Sequence, residues 1–224
     1  MFEYTYNINI REIYQKDKQA FRSFLKLPDS FCDLEMDQKN KYHSLNVIEH
    51  TFQVIDNINP VLQYAYKCIP VHELPNKKIL FYTALFHDLG KLDPRSQKIK
   101  PDGCMSFYGS DIRLDKLTHE ASSFLVWQDF VINKNFTQNE IDTIGNLIYA
   151  HMRPHALLEI KNKDKFRHKI LNYKLNNSFW WHLFIHGACD SLAKQNTEKI
   201  DYSLSNPYFD CFVDILDIVG NKND

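Results

Sequence analysis

Only six of the 224 residues are glycine. Short strands need tight turns, and tight turns need residues that tolerate positive φ. Glycine-rich turns between alternating apolar runs are hard to find here, which argues against an all-β fold. What recurs instead is apolar spacing of three and four residues. Val47, Ile48, Val54, Ile55 and Ile58 follow it behind Ser44, which can cap a helix. The spacing predicts a first helix over 11–26, closed by Pro28, and a break at Asn59-Pro60 before another helix over 61–68. Pro75 in the first turn and Gly90 as a left-handed cap bracket the apolar run 79–86. That run would also suit a buried strand, but the Pro and Gly placement favours helix. Residues 91–112, with two prolines and two glycines, read as a long loop. Further helices are predicted from Asp115, from the capping box Thr137-Gln138-Asn139-Glu140 as far as Met152, from Ser178 to Ala193, and from Asn206-Pro207 to Gly220. The expectation is an all-α fold of about eight helices.

A chain of this length suits one domain, or one domain with a small appendage. Its 44% hydrophobic and 25% charged residues exclude wholesale disorder. The formal net charge of −1 means that any nucleic-acid contact must come from a local patch. Cys32, Cys68, Cys104, Cys189 and Cys211 are scattered and never form C-x-x-C, so neither a disulfide framework nor a zinc–thiolate site is expected. No signal-peptide pattern opens the sequence and no apolar run reaches membrane-spanning length. A soluble, cytoplasmic protein without a membrane partner is the expectation.

The chemistry is concentrated in His87-Asp88, followed by Leu89-Gly90-Lys91. A histidine and an aspartate together at the end of an apolar helix are costly to desolvate, and a divalent cation offsets that cost. A satisfied histidine beside an aspartate at a frayed helix end would explain the doublet alone. Two further positions change the balance. His50 shares a helix face with Val47 and Val54, and Asp190 lies among Ile185, Ala188 and Leu192. Distant helices thus turn imidazole and carboxylate groups inward, a donor set suited to Mn, Fe, Ni, Co, Zn or, less well, Mg.

The order His50, His87-Asp88, Asp190 resembles the HD-domain metal-dependent phosphohydrolases, named for their His-Asp doublet. Leu85-Phe86-His87-Asp88-Leu89-Gly90-Lys91 is the most specific stretch. Tyr42-His43, Val47-Ile48-Glu49-His50-Thr51, Phe107-Tyr108-Gly109 and Ala150-His151-Met152-Arg153-Pro154 make the chain similar to the HD domain of bacterial CCA-adding tRNA nucleotidyltransferases. The resemblance implies a single helical bundle over 42–194 with a metal site in its centre, flanked by an N-terminal helical extension (1–41) and a C-terminal helix (195–224) packed on it. It implies metal ligation by His50, His87, Asp88 and Asp190. It also points to His119 and His151 as ligands of a second ion, with Asp88 shared, so one or two divalent ions are expected. The segment before His119 is longer than in those tRNA enzymes. About forty residues precede the motif, too few for a nucleotidyltransferase head, so CCA addition is not expected.

Other groups carry two readings each. His119 suits a helix surface as well as a metal. His151 or His119 could protonate a leaving group if one ion binds. Lys91 can complement a helix dipole or, with Asp88, serve catalysis by neutralising a phosphoryl oxygen. Arg153 can clamp a phosphate or face solvent. Lys161, Lys163, Lys165, Arg167, Lys169 and Lys174 form a basic stretch, 161–174, that is either a solvated face or a nucleic-acid contact. His186, one turn before Asp190, can orient that carboxylate. No P-loop, dinucleotide fingerprint or G-x-S-x-G is present. The expected activity is hydrolysis of a phosphate ester, with a nucleotide, cyclic nucleotide or nucleic-acid end as substrate. The alternative is an HD-fold module that binds a nucleotide or RNA without cleaving it.

Overall fold

Helical spacing becomes helix almost throughout the computed structural model, which describes residues 10–38, 45–69, 75–107, 117–194 and 200–220. Among these residues are ten α-helices and one short hairpin. The first predicted helix is two, α1 (Ile10–Lys16) and α2 (Lys18–Phe24). Asp17 divides them, because its carboxylate accepts from the amide of Ala20 and starts a new helix. The predicted break at Asn59-Pro60 does not occur. α3 runs unbroken from Val47 to Cys68 with Pro60 inside it. An interior proline costs roughly 3 kcal/mol. Burial of Ile58, Val61, Leu62 and Ala65 on both sides of it offsets that, at about 1.5–3 kcal/mol for each large apolar side chain. Asn46 caps α3 through Glu49; the cap expected at Ser44 lies outside the described residues.

α4 (Lys77–Phe86) is capped by Asn76, one residue after Pro75, and gives way to a 3-10 turn over Leu89–Leu92. Gly90 lies inside that turn, so the helix does not end on a left-handed glycine; Gly103 alone among the described glycines has positive φ. The predicted loop holds a second 3-10 turn, Pro94–Ser96, and an antiparallel hairpin, β1 (Gln97–Ile99) with β2 (Met105–Phe107), Lys98 standing opposite Ser106. α5 (His119–Val131) is capped by Thr118, while the start expected at Asp115 lies outside the described residues. α6 (Gln138–Ala150) opens on the predicted capping box and ends two residues before Met152. Two helices that apolar spacing did not announce follow, α7 (Arg153–Leu158) and α8 (Lys163–Tyr173). α9 (Asn177–Leu192) is capped by Asn176 rather than Ser178, and α10 (Asn206–Gly220) has its predicted bounds.

α3 packs along α9 and α4; α4 also meets α6; α5 lies on α6 and on the Leu89–Leu92 turn; α10 covers α9. One apolar core joins these elements. Phe21 of α2 and Leu25, which caps it, enter the core, as do Phe209, Phe212 and Ile215 of α10, so both flanking segments share it with the central helices. The cysteines are all free. No helix among the described residues is long and apolar enough to cross a membrane.

Candidate metal centre

Each metal-capable side chain reaches the middle of the bundle for a local reason. His50 projects from the apolar face of α3 and is fully buried. Successive helical residues diverge by about 100°, so His87 and Asp88 can converge only where the helix ends. His87 is the C-cap of α4, and Asp88 leaves helical geometry at φ −111°, ψ 0°. His119 is the first residue of α5 and His151 the C-cap of α6. Asp190 comes from the last turn of α9.

These six residues form two groups that share one carboxylate. Ligand atoms of His50, His87, Asp88 and Asp190 all lie within 4.8 Å of one another, and so do those of Asp88, His119 and His151. Asp88 faces both ways. Its Oδ2 is 3.5 Å from His50 Nε2 and 3.3 Å from His87 Nε2, while its Oδ1 is 3.7 Å from the Nε2 atoms of both His119 and His151. Asp190 Oδ1 stands 2.9 Å from His50 Nε2 and 3.9 Å from His87 Nε2.

The donor chemistry fits cations. His87 Nδ1 donates to the carbonyl of Ala84 at 2.8 Å, which leaves Nε2 as the lone-pair nitrogen, and that buried atom has no hydrogen-bond partner among the described residues. His151 Nδ1 likewise donates to Ile148 O at 2.7 Å, so its Nε2 presents a lone pair 3.3 Å from His119 Nε2. Backbone carbonyls thus select the tautomer a metal requires. The buried His and Asp groups can therefore hold metal ions.

The electrostatics agree. Burial would raise the Asp88 carboxyl, but the Lys91 ammonium and His87 outweigh it and hold the group well below the carboxylate range. Asp190 is held low in the same way, against its burial, by Lys194, His155 and His50. Burial, reinforced by His151, pushes His119 well below the usual imidazole value, and burial with His87 lowers His151 to about 4. Both are neutral at pH 7, the state in which an imidazole can ligate a metal. His87 moves the other way: burial would lower it, but Asp88 and Asp190 raise it.

The groups open onto a cavity of about 230 Å³ in which Asp88, His119, His151 and Asp190 meet three lysines, Lys91, Lys100 and Lys194. Lys91 is buried, with its ammonium 2.7 Å from Asp88 Oδ2 and 2.9 Å from Gln38 Oε1. Lys194 lies 3.0 Å from Asp190 Oδ2, and Lys100 follows β1 on the hairpin. Arg153 is not brought to this cavity. Its guanidinium sits 4.6 Å over the Tyr173 ring and lines a separate depression of about 310 Å³ with Lys169. Met152 borders both. Of the basic stretch, Lys161, Lys163, Lys165, Arg167 and Lys174 are exposed, and none of its lysines lines the metal-capable cavity.

Sequence reasoning missed Lys100, Lys194 and His155. Lys194 was within reach, since it follows Asp190 by four residues, just past the end of the same helix. His186, which could have oriented Asp190, instead packs its ring 4.8 Å from that of His87; the bonds to Asp190 come from His50, His155 and Lys194. No protein-family model matches the chain, and no curated protein matches it.

Proposed function

We propose that this chain is a metal-dependent phosphohydrolase of the HD-domain kind, acting on a phosphate ester such as a nucleotide, a cyclic nucleotide or a nucleic-acid end. One observation carries the reading: two metal-capable groups share Asp88 and open together onto a cavity lined by three lysines. A purely structural cluster would have no need of an opening or of cations around it. The donors, four imidazoles and two carboxylates, suit Mn, Fe, Co, Ni or Zn better than Mg.

Divalent ions held there would supply Lewis acidity toward a phosphoryl oxygen and lower the pKa of a water. The protein's own groups do the rest. Asp88, gripped by Lys91, is fixed between the two groups and orients what binds there. Lys91, Lys194 and Lys100 offer ammonium hydrogens to phosphoryl oxygens, where charge accumulates as the ester breaks. His119 and His151, neutral at pH 7, serve better as ligands than as proton donors to the leaving group. Arg153 reaches the substrate only if that substrate extends past Met152 into the second depression.

The test is metal analysis of purified protein, followed by hydrolysis of a chromogenic phosphodiester and phosphomonoester with added Mn²⁺. Turnover that a chelator abolishes supports the proposal. Bound metal without turnover, on these esters and on nucleotides, makes the chain a binding module; protein that takes up no metal refutes the site.

A further inference from the structure

The two oxygens of Asp190 keep different company. Oδ1 faces His50 and His87. Oδ2 is turned away from them, 2.7 Å from His155 Nε2 and 3.0 Å from Lys194 Nζ, and the side chain is only 4% exposed. His155 is bonded at both ends, for its Nδ1 lies 2.7 Å from the hydroxyl of Tyr208. A carboxylate only accepts, so His155 Nε2 donates; a neutral imidazole that donates from Nε2 accepts at Nδ1, so the Tyr208 hydroxyl donates there. A directed chain thus runs from Tyr208 on α10, through His155 on α7, to Asp190 on α9. Gly187 makes it attainable. A Cβ at that position would lie 2.9 Å from Pro154 Cβ and 3.2 Å from Tyr208 Cε1, so the missing side chain is what lets α7 and α10 close on α9.

We infer that His155 and Tyr208 are positioning residues of the metal centre, holding Asp190 so that it presents Oδ1 alone to an ion. The inference rests on the reading of Asp190 as a metal ligand, and not on hydrolysis. With Oδ2 committed to two donors, the carboxylate cannot rotate to offer both oxygens. Groups that orient a ligating side chain in this way typically contribute about 10–100-fold to metal affinity. α10 is then part of the site, though it supplies no ligand.

Co²⁺ is the probe, its affinity measured by competition with a chromogenic chelator and its geometry by the visible absorption of the bound ion. Thermal unfolding of the metal-free protein is followed in parallel. His155→Phe keeps a ring but removes both bonds; it should weaken Co²⁺ binding by about 10–100-fold and change the absorption spectrum. Tyr208→Phe removes one oxygen and keeps the ring beside Gly187; it should weaken binding severalfold. His155→Gln, whose amide can still donate to Oδ2, should recover part of the loss. Wild-type affinity and spectrum in both Phe variants would overturn the inference. So would an affinity loss that merely tracks lower stability of the metal-free protein and is not relieved in His155→Gln. If His155→Phe fails to fold, Tyr208→Phe decides. Wild-type protein that binds no Co²⁺ overturns both this inference and the metal site, whereas Co²⁺ binding without ester hydrolysis overturns only the proposed activity.

Discussion

Gly90→Ala adds one methyl group where the fold has no room for it. An ideal Cβ at residue 90 would stand 2.0 Å from the carbonyl oxygen of His119, 2.5 Å from the amide nitrogen of Ser123 and 2.9 Å from the carbonyl carbon of His119. Ordinary contact begins at 3.4 Å, so the start of α5 must retreat by more than 1 Å. All three neighbours are backbone, and no side chain can swing aside. Overpacking a core costs about 1–3 kcal/mol, and a clash with backbone belongs at the upper end. The retreat also stretches two buried hydrogen bonds, in which Ser123 Oγ accepts from the Gly90 amide and donates to the His87 carbonyl, both at 2.8 Å. Losing one adds about 1 kcal/mol. The total, roughly 3–4 kcal/mol, is a large share of a typical domain's stability of about 5–15 kcal/mol. His119 is the first residue of α5 and shifts with it, which disturbs its place beside Asp88 and His151. Gly90→Ala should therefore lower the urea midpoint strongly and, on the proposed loading, lose the ion held by Asp88, His119 and His151 before the other. A variant with the wild-type midpoint and wild-type metal content would refute this account.

His87→Ala and Asp88→Ala should each abolish ester hydrolysis and lower metal content; full activity in either purified variant would sink the assignment. His151→Ala should bring elemental analysis from near two ions per chain toward one, and an unchanged stoichiometry would remove His151 from the ligands. Metal-free protein should lose stability as the pH falls from about 6.5 toward 4. His50, His119, His151, His182 and His186 are all lowered, mainly by burial, so the unfolded chain takes up more protons than the folded one in that window. His87, which is raised, acts with the opposite sign and only above about 6.5. Urea midpoints that stay level between pH 6.5 and 4.5 would contradict the burial of these rings. Reversing Lys163 and Lys165 to Glu should leave hydrolysis of a small phosphodiester within about twofold, because both are exposed and outside the cavity; a large loss would place α8 in the catalytic pocket.

The helices and the main metal-capable groups were legible because both leave marks on the chain. The 3.6-residue spacing around His50 and Asp190 put those side chains on buried faces, and the Phe86-His87-Asp88 junction marked a helix end. Thr137 and Glu140 are near neighbours in sequence, so their capping box could be read directly. Pro60 misled because its local penalty is plain in sequence, while the burial that outweighs it depends on α9 and α4. α8 was hidden by its composition: with Ile170 its only buried residue, it carries almost no apolar stripe. His155 and Tyr208 escaped for a different reason. They are 53 residues apart and meet only once α7 and α10 have closed on α9. The hairpin that carries Lys100 has three residues in each strand, too few for alternation to announce it.

Because the single carboxylate of Asp88 faces both groups, ions held as proposed would have their occupancies tied together. The group with His50 and His87 commands two carboxylates, whereas the group with His119 and His151 has Asp88 alone. An ion arriving first would settle where both negative charges converge. A second would then meet a carboxylate whose charge is already half spent and two rings that contribute none. Loading would be stepwise, with the tighter step set by Asp190. In a metal-poor medium the chain would carry one ion; in a metal-rich one it would carry two. Any count of its metals would then be a statement about the surroundings as much as about the protein.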